Sequence, residues 1–196
     1  MSFEVRPEQP ADRASVRRVV TAAFGAEDPG HGDDVARIWE SLGHHRRVGL
    51  LAEERGVVVG HVGLSRAWVD ARRDLVEVWV LSPLSVVPER QGEGVGTALL
   101  AAAVETARGS GTPALFLEGS PFYYGDRGFE RADRWGFLPA ALERTPRAAF
   151  QVVVFEPHEP WMTGQLIYPS VWWVHGAAGL RDPGLAELEE RFASLE

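Results

Sequence analysis

The sequence contains no cysteine among its 196 residues. This absence excludes a disulfide framework, a thiolate metal site and a cysteine nucleophile. The chain also lacks an apolar run of the ~18 residues that span a membrane. Its start, Met1 to Arg6, has no basic-then-apolar targeting pattern. We therefore expect a cytoplasmic protein without a membrane partner.

Basic residues are outnumbered by acidic ones. Lysine and arginine total 20 against 28 aspartates and glutamates, which gives a formal net charge of −8. We expect no nucleic-acid partner, because neutralisation of phosphates by basic side chains supplies most of that affinity. An acidic protein favours a cationic or neutral small molecule, although a contribution to solubility is the simpler explanation of the charge.

The histidines do not form a recognisable metal-binding pattern. His44 and His45 are adjacent, so on a helix their side chains would point about 100° apart. His158 has Glu156 and Glu159 nearby, but without the spacing of a known ligand set. We predict no metal site.

The hydrophobic pattern predicts helices and strands in a mixed order. Asp12 is expected to be the N-cap of a first helix, a second helix is expected over 33–42, and Asp182 is expected to be the N-cap of a last one. Strands are predicted over 3–6, 48–54, 57–69, 76–87, 114–117 and 149–155. This order predicts an α/β fold with a mixed sheet rather than regular βαβ repetition.

A glycine-rich segment follows the strand predicted over 76–87 and opens a helix. Gly92, Gly94 and Gly96 have no side chains, so an anion can approach the backbone closely there. The start of the helix presents N–H groups and the positive end of its dipole. The segment therefore predicts a phosphate or pyrophosphate site.

Two common phosphate-binding motifs do not fit this segment. A nucleotide-binding P-loop requires Lys and then Ser or Thr after its last glycine, but Gly96 is followed by Thr97 and Ala98. The dinucleotide fingerprint requires a third glycine where Thr97 stands, inside a regular βαβ unit. Both alternatives are disfavoured.

The run Gln91-Gly92-Glu93-Gly94-Val95-Gly96, together with Tyr123-Tyr124 and Gly128-Phe129 downstream, resembles the GNAT superfamily of N-acetyltransferases. The resemblance covers roughly residues 3–140. It implies a GNAT fold, in which a mixed central sheet has splayed fourth and fifth strands and flanking helices. We expect a single domain over 1–196, with 157–196 as an aromatic-rich C-terminal extension.

The resemblance also implies acetyl-CoA as co-substrate. Backbone groups of Ser85, Val86 and Val87 would contact its pantetheine arm. The pyrophosphate would be held, mainly through main-chain amides, by Gln91, Gly92, Gly94, Val95, Gly96 and Thr97. Tyr124 would also contact the coenzyme.

The resemblance makes Tyr124 the candidate general acid, because a positioned phenol can protonate the departing thiolate. A purely structural role, with its hydroxyl bonded locally, is the alternative. Glu118, at the end of a predicted strand, is our first candidate for the general base; Glu77 and His61 are the others.

The predicted function is transfer of an acetyl group from acetyl-CoA to a primary amine of a small molecule, by direct attack on the thioester. The alternative is an acyl-CoA-binding sensor or partner subunit that does not catalyse transfer. The aromatic residues of the extension, Tyr168, Trp161, Trp172 and Trp173, are compatible with an acceptor pocket, a homodimer interface or the cover of an open sheet face.

Overall fold

The computed structural model describes residues 3–26 and 29–195. The chain divides into two compact units. The first unit is Met1–Ser65 with Leu81–Thr106, and the second is Arg66–Val80 with Ala107–Glu196. In the described part of the chain, no helix is long and apolar enough to cross a bilayer.

The first unit combines antiparallel strands with three helices. Its elements are β1 (Glu4–Pro7), α1 (Arg13–Phe24), α2 (Pro29–Ser41), β2 (Arg46–Glu54), the first part of β3 (Val57–Ala71), the end of β4 (Leu75–Val86) and most of α3 (Val95–Ser110). Strand β2 pairs antiparallel with both β1 and β3.

Two glycines allow helices to pack on both faces of β3 in the first unit. A Cβ atom at Gly60 would lie 2.8 Å from Cδ1 of Leu99 on α3, and one at Gly63 would overlap the ring of Trp39 on α2. A side chain at either position would therefore push a helix away from the strand. The close packing leaves residues 58–65 buried.

The second unit has β5 at its centre. The unit contains the end of β3, the first part of β4 and the end of α3. Its other elements are β5 (Ala114–Glu118), α4 (Pro121–Tyr124), β6 (Glu130–Arg131), β7 (Phe150–Val154), β8 (Gly164–Ile167), α5 (Ser170–Val174) and α6 (Gly184–Phe192). The Phe116 ring of β5 lies 4.9 Å from that of Phe137 and 5.5 Å from that of Phe150. These aromatic contacts form the middle of the unit's core.

The strand pairings confirm the predicted fold class. The pairing order is β1-β2-β3-β4-β5-β7-β6, with β8 paired to β3. The parallel ladder between β4 and β5 has only the pairs Trp79↔Leu115 and Val80↔Phe116, as the predicted splay of the fourth and fifth strands requires. Strand β5 continues beyond this ladder and pairs antiparallel with β7 up to Glu118↔Phe150.

Several local predictions need correction. Helix α2 begins at Pro29, not at residue 33. Asp12 is the N-cap residue of α1 but makes no side-chain cap bond, because its carboxylate binds Arg6. The N-cap of α6 is Pro183, not Asp182. Strands β6 and β8 were not predicted, since two and four residues are too few to show a period.

Candidate active site

The predicted phosphate-binding segment has the expected strand, turn and helix geometry. Gly92 and Gly94 have φ values of +78° and +85°, which residues other than glycine rarely adopt. The turn leads directly into α3, where the Ala98 N–H donates to the Gly94 carbonyl at 3.0 Å. The first turn of α3 therefore directs N–H groups out of its amino-terminal end.

The surface of this segment is accessible. Gln91, Gly92, Gly94 and Thr97 are exposed, Gly96 is half-buried, and only Val95 is buried, where it anchors the start of α3. A Cβ atom at Gly92 or Gly94 would meet nothing within 4 Å. An anion could therefore reach the backbone from solvent at the positive end of the helix.

The basic side chain of Arg90, beside the segment, already has acidic partners. The Arg90 guanidinium pairs with Glu54 and donates a 2.8 Å hydrogen bond to Glu93. These three residues line a cavity of about 290 Å³ beside the segment, together with Phe3, Val59 and Val95. Binding of an anion at the turn must therefore depend chiefly on backbone N–H groups.

The end of β4 offers fewer backbone groups than the sequence suggests. The Val87 N–H already donates to the Val59 carbonyl at 3.0 Å, and the Val86 carbonyl accepts a 3.0 Å bond from the Gln91 side chain. Ser85 is buried. The Gln91 bond fixes the turn to the strand that precedes it, which is a positioning role that the sequence does not reveal.

Tyr124 packs closely against the residue that follows Glu118. A Cβ atom at Gly119 would lie only 2.5 Å from Cε2 of the Tyr124 ring. The ring also makes edge contacts with Tyr123 at 4.9 Å and with Phe129 at 5.8 Å. The second unit thus brings the two predicted catalytic residues together through Gly119.

The Tyr124 hydroxyl has an environment suited to a proton donor. Burial, with a smaller effect of Tyr123, raises its pKa above the ordinary value, so the phenol keeps its proton across the working pH range. Within residues 3–26 and 29–195 no hydrogen-bond partner holds this hydroxyl. The hydroxyl is therefore not bonded locally, although the close packing of the ring agrees with the structural alternative as well.

Glu118 ends β5, and both oxygens of its carboxylate have a donor. Oε1 accepts a 2.8 Å hydrogen bond from the Tyr168 hydroxyl, and Oε2 accepts one of 3.3 Å from the Thr145 hydroxyl. Burial raises the pKa of Glu118, while these two bonds and the charge of Arg144 oppose the rise. A carboxylate with a raised pKa is a better proton acceptor near neutral pH.

The other two candidates for the base have structural environments. His61 is fully buried; its Nε2 lies 3.3 Å from a Glu8 oxygen, and burial lowers its pKa. Glu77 forms a 3.6 Å ion pair with Arg66. Neither environment resembles that of a base beside a substrate.

Tyr168 and Thr145 are hydrogen-bond partners of Glu118 that sequence reasoning did not identify. They lie 50 and 27 residues after Glu118, and no local pattern connects them to it. In the sequence, Tyr168 stands out only as one of the aromatic residues of the extension. A polar atom on a buried aromatic needs a partner, but the sequence does not say which carboxylate supplies it.

The histidines are also candidate metal ligands in the sequence. In the described residues no group of three or more potential ligands is found. The rings of His44 and His45 lie 4.0 Å apart, and the two residues belong to a 3-10 turn (Gly43–His45) rather than the α-helix assumed from the sequence.

Known proteins resemble this chain both in sequence and in three-dimensional structure. A model of the acetyltransferase (GNAT) family matches residues 13–129. The uncharacterized N-acetyltransferase YjhQ of Escherichia coli K12 is 36% identical over 120 residues, which are 61% of this chain and 65% of YjhQ. The chain therefore spans just under two thirds of that relative's length.

Two crystal structures match most of the chain. A GNAT family acetyltransferase from Brucella melitensis, in complex with acetyl-CoA, is 28% identical with a TM-score of 0.70, and the match covers 87% of this chain and 98% of that one. YhbS from Escherichia coli, in complex with CoA, is 24% identical with a TM-score of 0.72 over 87% and 91%, which shows likeness of fold alone. Since the family model matches more than half of the chain, including the glycine turn and Tyr124, the chain belongs to the acetyltransferase (GNAT) family.

Proposed function

We propose that this protein transfers the acetyl group of acetyl-CoA to a primary amine of a small molecule. The observation that carries the proposal is the turn from Gln91 to Gly94, which has two left-handed glycines and opens α3. Its backbone suits the pyrophosphate of coenzyme A. The Brucella relative, crystallised with acetyl-CoA, supports this choice of anion.

In the proposed reaction, the amine nitrogen attacks the carbonyl carbon of the thioester. A new C–N bond forms, and the carbonyl electrons move to oxygen in a tetrahedral intermediate. The acceptor arrives as an ammonium and must lose a proton before it can attack. Glu118 is the proposed acceptor of that proton, because its carboxylate is half-buried and its pKa is raised by burial.

Collapse of the intermediate breaks the C–S bond and expels the thiolate of coenzyme A. Tyr124 is the proposed donor of the proton that the sulfur takes up. Its phenol stays protonated because burial raises its pKa, and Gly119 fixes its ring beside the strand end that carries Glu118. The products are the acetylated amine and free coenzyme A.

A cationic small molecule is the acceptor class that the charge of the protein favours. The net charge of −8 attracts an ammonium and repels a nucleic acid. A primary amine also supplies the proton that the proposed base removes.

Calorimetric titration with acetyl-CoA and with free coenzyme A tests the first half of the proposal. Saturable binding of both is expected, and no binding at millimolar ligand would reject the coenzyme site. The second half is tested by release of free thiol from acetyl-CoA in the presence of a panel of polyamines, aromatic ethylamines and amino-acid amides. Binding without thiol release above hydrolysis for any amine would instead favour the non-catalytic acyl-CoA-binding protein.

A further inference from the structure

The carboxylate of Glu118 is held by two residues that lie beyond the part of the chain matched by the family model. The Tyr168 hydroxyl donates to Oε1 at 2.8 Å, and the Thr145 hydroxyl donates to Oε2 at 3.3 Å. Two donors from separate segments fix both the direction and the rotation of the carboxylate plane. A carboxylate has about four lone-pair positions, so roughly two remain for a further donor.

Tyr168 is itself rigidly held. Its side chain is buried, and its ring stacks on that of Trp172 at 4.8 Å with an interplanar angle of 21°. Burial, reinforced by Glu118, raises the pKa of the Tyr168 phenol well above its ordinary value. The hydroxyl is therefore a permanent donor to Glu118.

The C-terminal extension has a backbone arrangement that delivers Tyr168 to this place. Strand β8 pairs antiparallel with the end of β3 through Trp68↔Ile167 to Ala71↔Gly164, and Tyr168 follows directly. The segment that carries Thr145 is tied to the same extension, since the Leu180 N–H donates to the Arg144 carbonyl at 2.8 Å. Both donors to Glu118 thus depend on the fold of the extension.

We propose that Tyr168 is a positioning residue for acetyl transfer: through its hydrogen bond, and with Thr145 on the second oxygen, the C-terminal extension orients the Glu118 carboxylate to accept the proton of the amine. This inference rests on the proposed function, and specifically on Glu118 as the base. Tyr168 does not contact the reacting atoms in this scheme. It keeps Glu118 in one rotamer and favours the ionised form, because it donates a hydrogen bond to that form.

The test replaces Tyr168 with phenylalanine, which keeps the stack on Trp172 and removes only the hydroxyl. Without this donor the pKa of Glu118 rises, so the acid limb of the kcat/KM profile moves to higher pH. We expect kcat/KM on that limb to fall about tenfold, with unchanged affinity for acetyl-CoA. The charged and titratable groups that face Glu118 are Tyr168 and Arg144, and Tyr168→Phe retains Arg144.

Two further variants keep the test informative if the first folds poorly. Thr145→Val removes the longer bond to Oε2, so a smaller shift in the same direction is expected. Thr112→Val is the matched control, because its hydroxyl is also buried and donates to the Ala114 carbonyl at 3.2 Å, at the opposite end of β5. That variant is expected to lose stability without a change in the pH profile.

Two readouts separate failure of this inference from failure of the proposed function. The first is the titration of Glu118 by carboxyl carbon-13 NMR, with the signal assigned by its absence in Glu118→Gln; this needs no acceptor. The second is the pH profile with the amine that gives the fastest thiol release in the panel. A shift of both in Tyr168→Phe supports the inference.

A Glu118 titration that does not change in Tyr168→Phe overturns the inference, whatever the activity. A shifted titration with an unshifted rate profile also overturns it, because Glu118 is then not the base, although acetyl transfer itself stands. If no amine releases thiol above hydrolysis, the proposed function fails and the positioning role of Tyr168 in acetyl transfer fails with it. The NMR titration still decides whether Tyr168 holds the Glu118 carboxylate.

Discussion

In the first unit, the candidate phosphate site is made of backbone from one short segment, whereas in the second unit the candidate catalytic side chains are positioned by residues far apart in the sequence. Gly92 and Gly94 act through their conformations and need no partner side chain. Glu118 depends on Tyr168 and Thr145, and Tyr124 depends on the absence of a side chain at Gly119. The difference predicts which substitutions abolish binding and which alter the chemistry.

The largest expected effect is that of Gly94→Glu. The new carboxylate would stand where the anion binds, and the φ of +85° would be strained. We expect affinity for coenzyme A to fall roughly a hundredfold or more, since placing like charges together costs several kcal/mol. Calorimetry measures the loss.

Gly56→Glu is the matched control for this substitution. Gly56 belongs to the same unit, has a φ of +79°, and also has open space around its Cβ position. The backbone strain and the added charge are therefore equal in the two variants. If both lose affinity equally, the effect of Gly94→Glu reflects strain or net charge, and the backbone site is not where we place it.

Tyr124→Phe should have the next largest effect, and it should act on turnover. Removing the proton donor is expected to lower kcat about a hundredfold, while the affinity for acetyl-CoA changes little because the ring remains. Steady-state kinetics and calorimetry together measure this split. Tyr123→Phe is the control, since it removes a neighbouring hydroxyl that has no role in the proposed mechanism. Unchanged kcat in Tyr124→Phe would mean that another group protonates the thiolate.

The contrast between the units also explains what could be predicted from the sequence. The turn from Gln91 to Gly96 is a local pattern, so its conformation, its ligand class and the family were accessible. Glu118 and Tyr124 could be named because they lie at a strand end and in a second family segment. Their mutual contact at Gly119 and the bond from Tyr168 could not, because these depend on packing between residues that no local spacing connects.

Gly119→Ala sharpens the comparison at the contact between Tyr124 and β5. The added methyl group would lie 2.5 Å from the Tyr124 ring, so the ring must move. Since displacement of a reacting group by about 1 Å lowers catalysis strongly, we expect kcat to fall about tenfold, with coenzyme affinity retained. The kinetic measurement is the same as for Tyr124→Phe.

Gly125→Ala is the control for this change. Its backbone is right-handed helical, with φ −58° and ψ −43°, and its Cβ position is open. An alanine there should leave kcat unchanged and slightly raise stability. Equal losses of kcat in the two variants would indicate that the segments flanking α4 are sensitive to any substitution, rather than that Gly119 sets the position of the ring.

The smallest expected effect concerns stability and its dependence on pH. In the first unit, Arg6 donates hydrogen bonds of 2.7 and 2.9 Å to the two oxygens of Asp12, and this holds the pKa of Asp12 at about 2 rather than 3.8. The folded pKa lies below the unfolded one, so the stabilisation is complete above about pH 4 and is lost as the pH falls to about 2. Asp12→Asn should therefore lower the free energy of unfolding by roughly 0.5–1 kcal/mol at pH 7, and urea unfolding should find the variant and the parent equally stable near pH 2.

Asp34→Asn is the control, because Asp34 forms an exposed ion pair with Arg37, and this substitution should change stability less at every pH. For Glu118 in the second unit, stability changes with pH in the opposite direction. Its folded pKa is raised by burial, so its contribution to stability is complete below the ordinary glutamate pKa and is lost as the pH rises through the raised value. The ionised carboxylate of Asp12 thus stabilises the first unit, whereas ionisation of Glu118, which we assign to catalysis, destabilises the second.

A difference in stability between Asp12→Asn and its parent that persisted at pH 2 would show that Asp12 stabilises the fold by packing. The opposite pH dependence that we expect for the two carboxylates would then not hold.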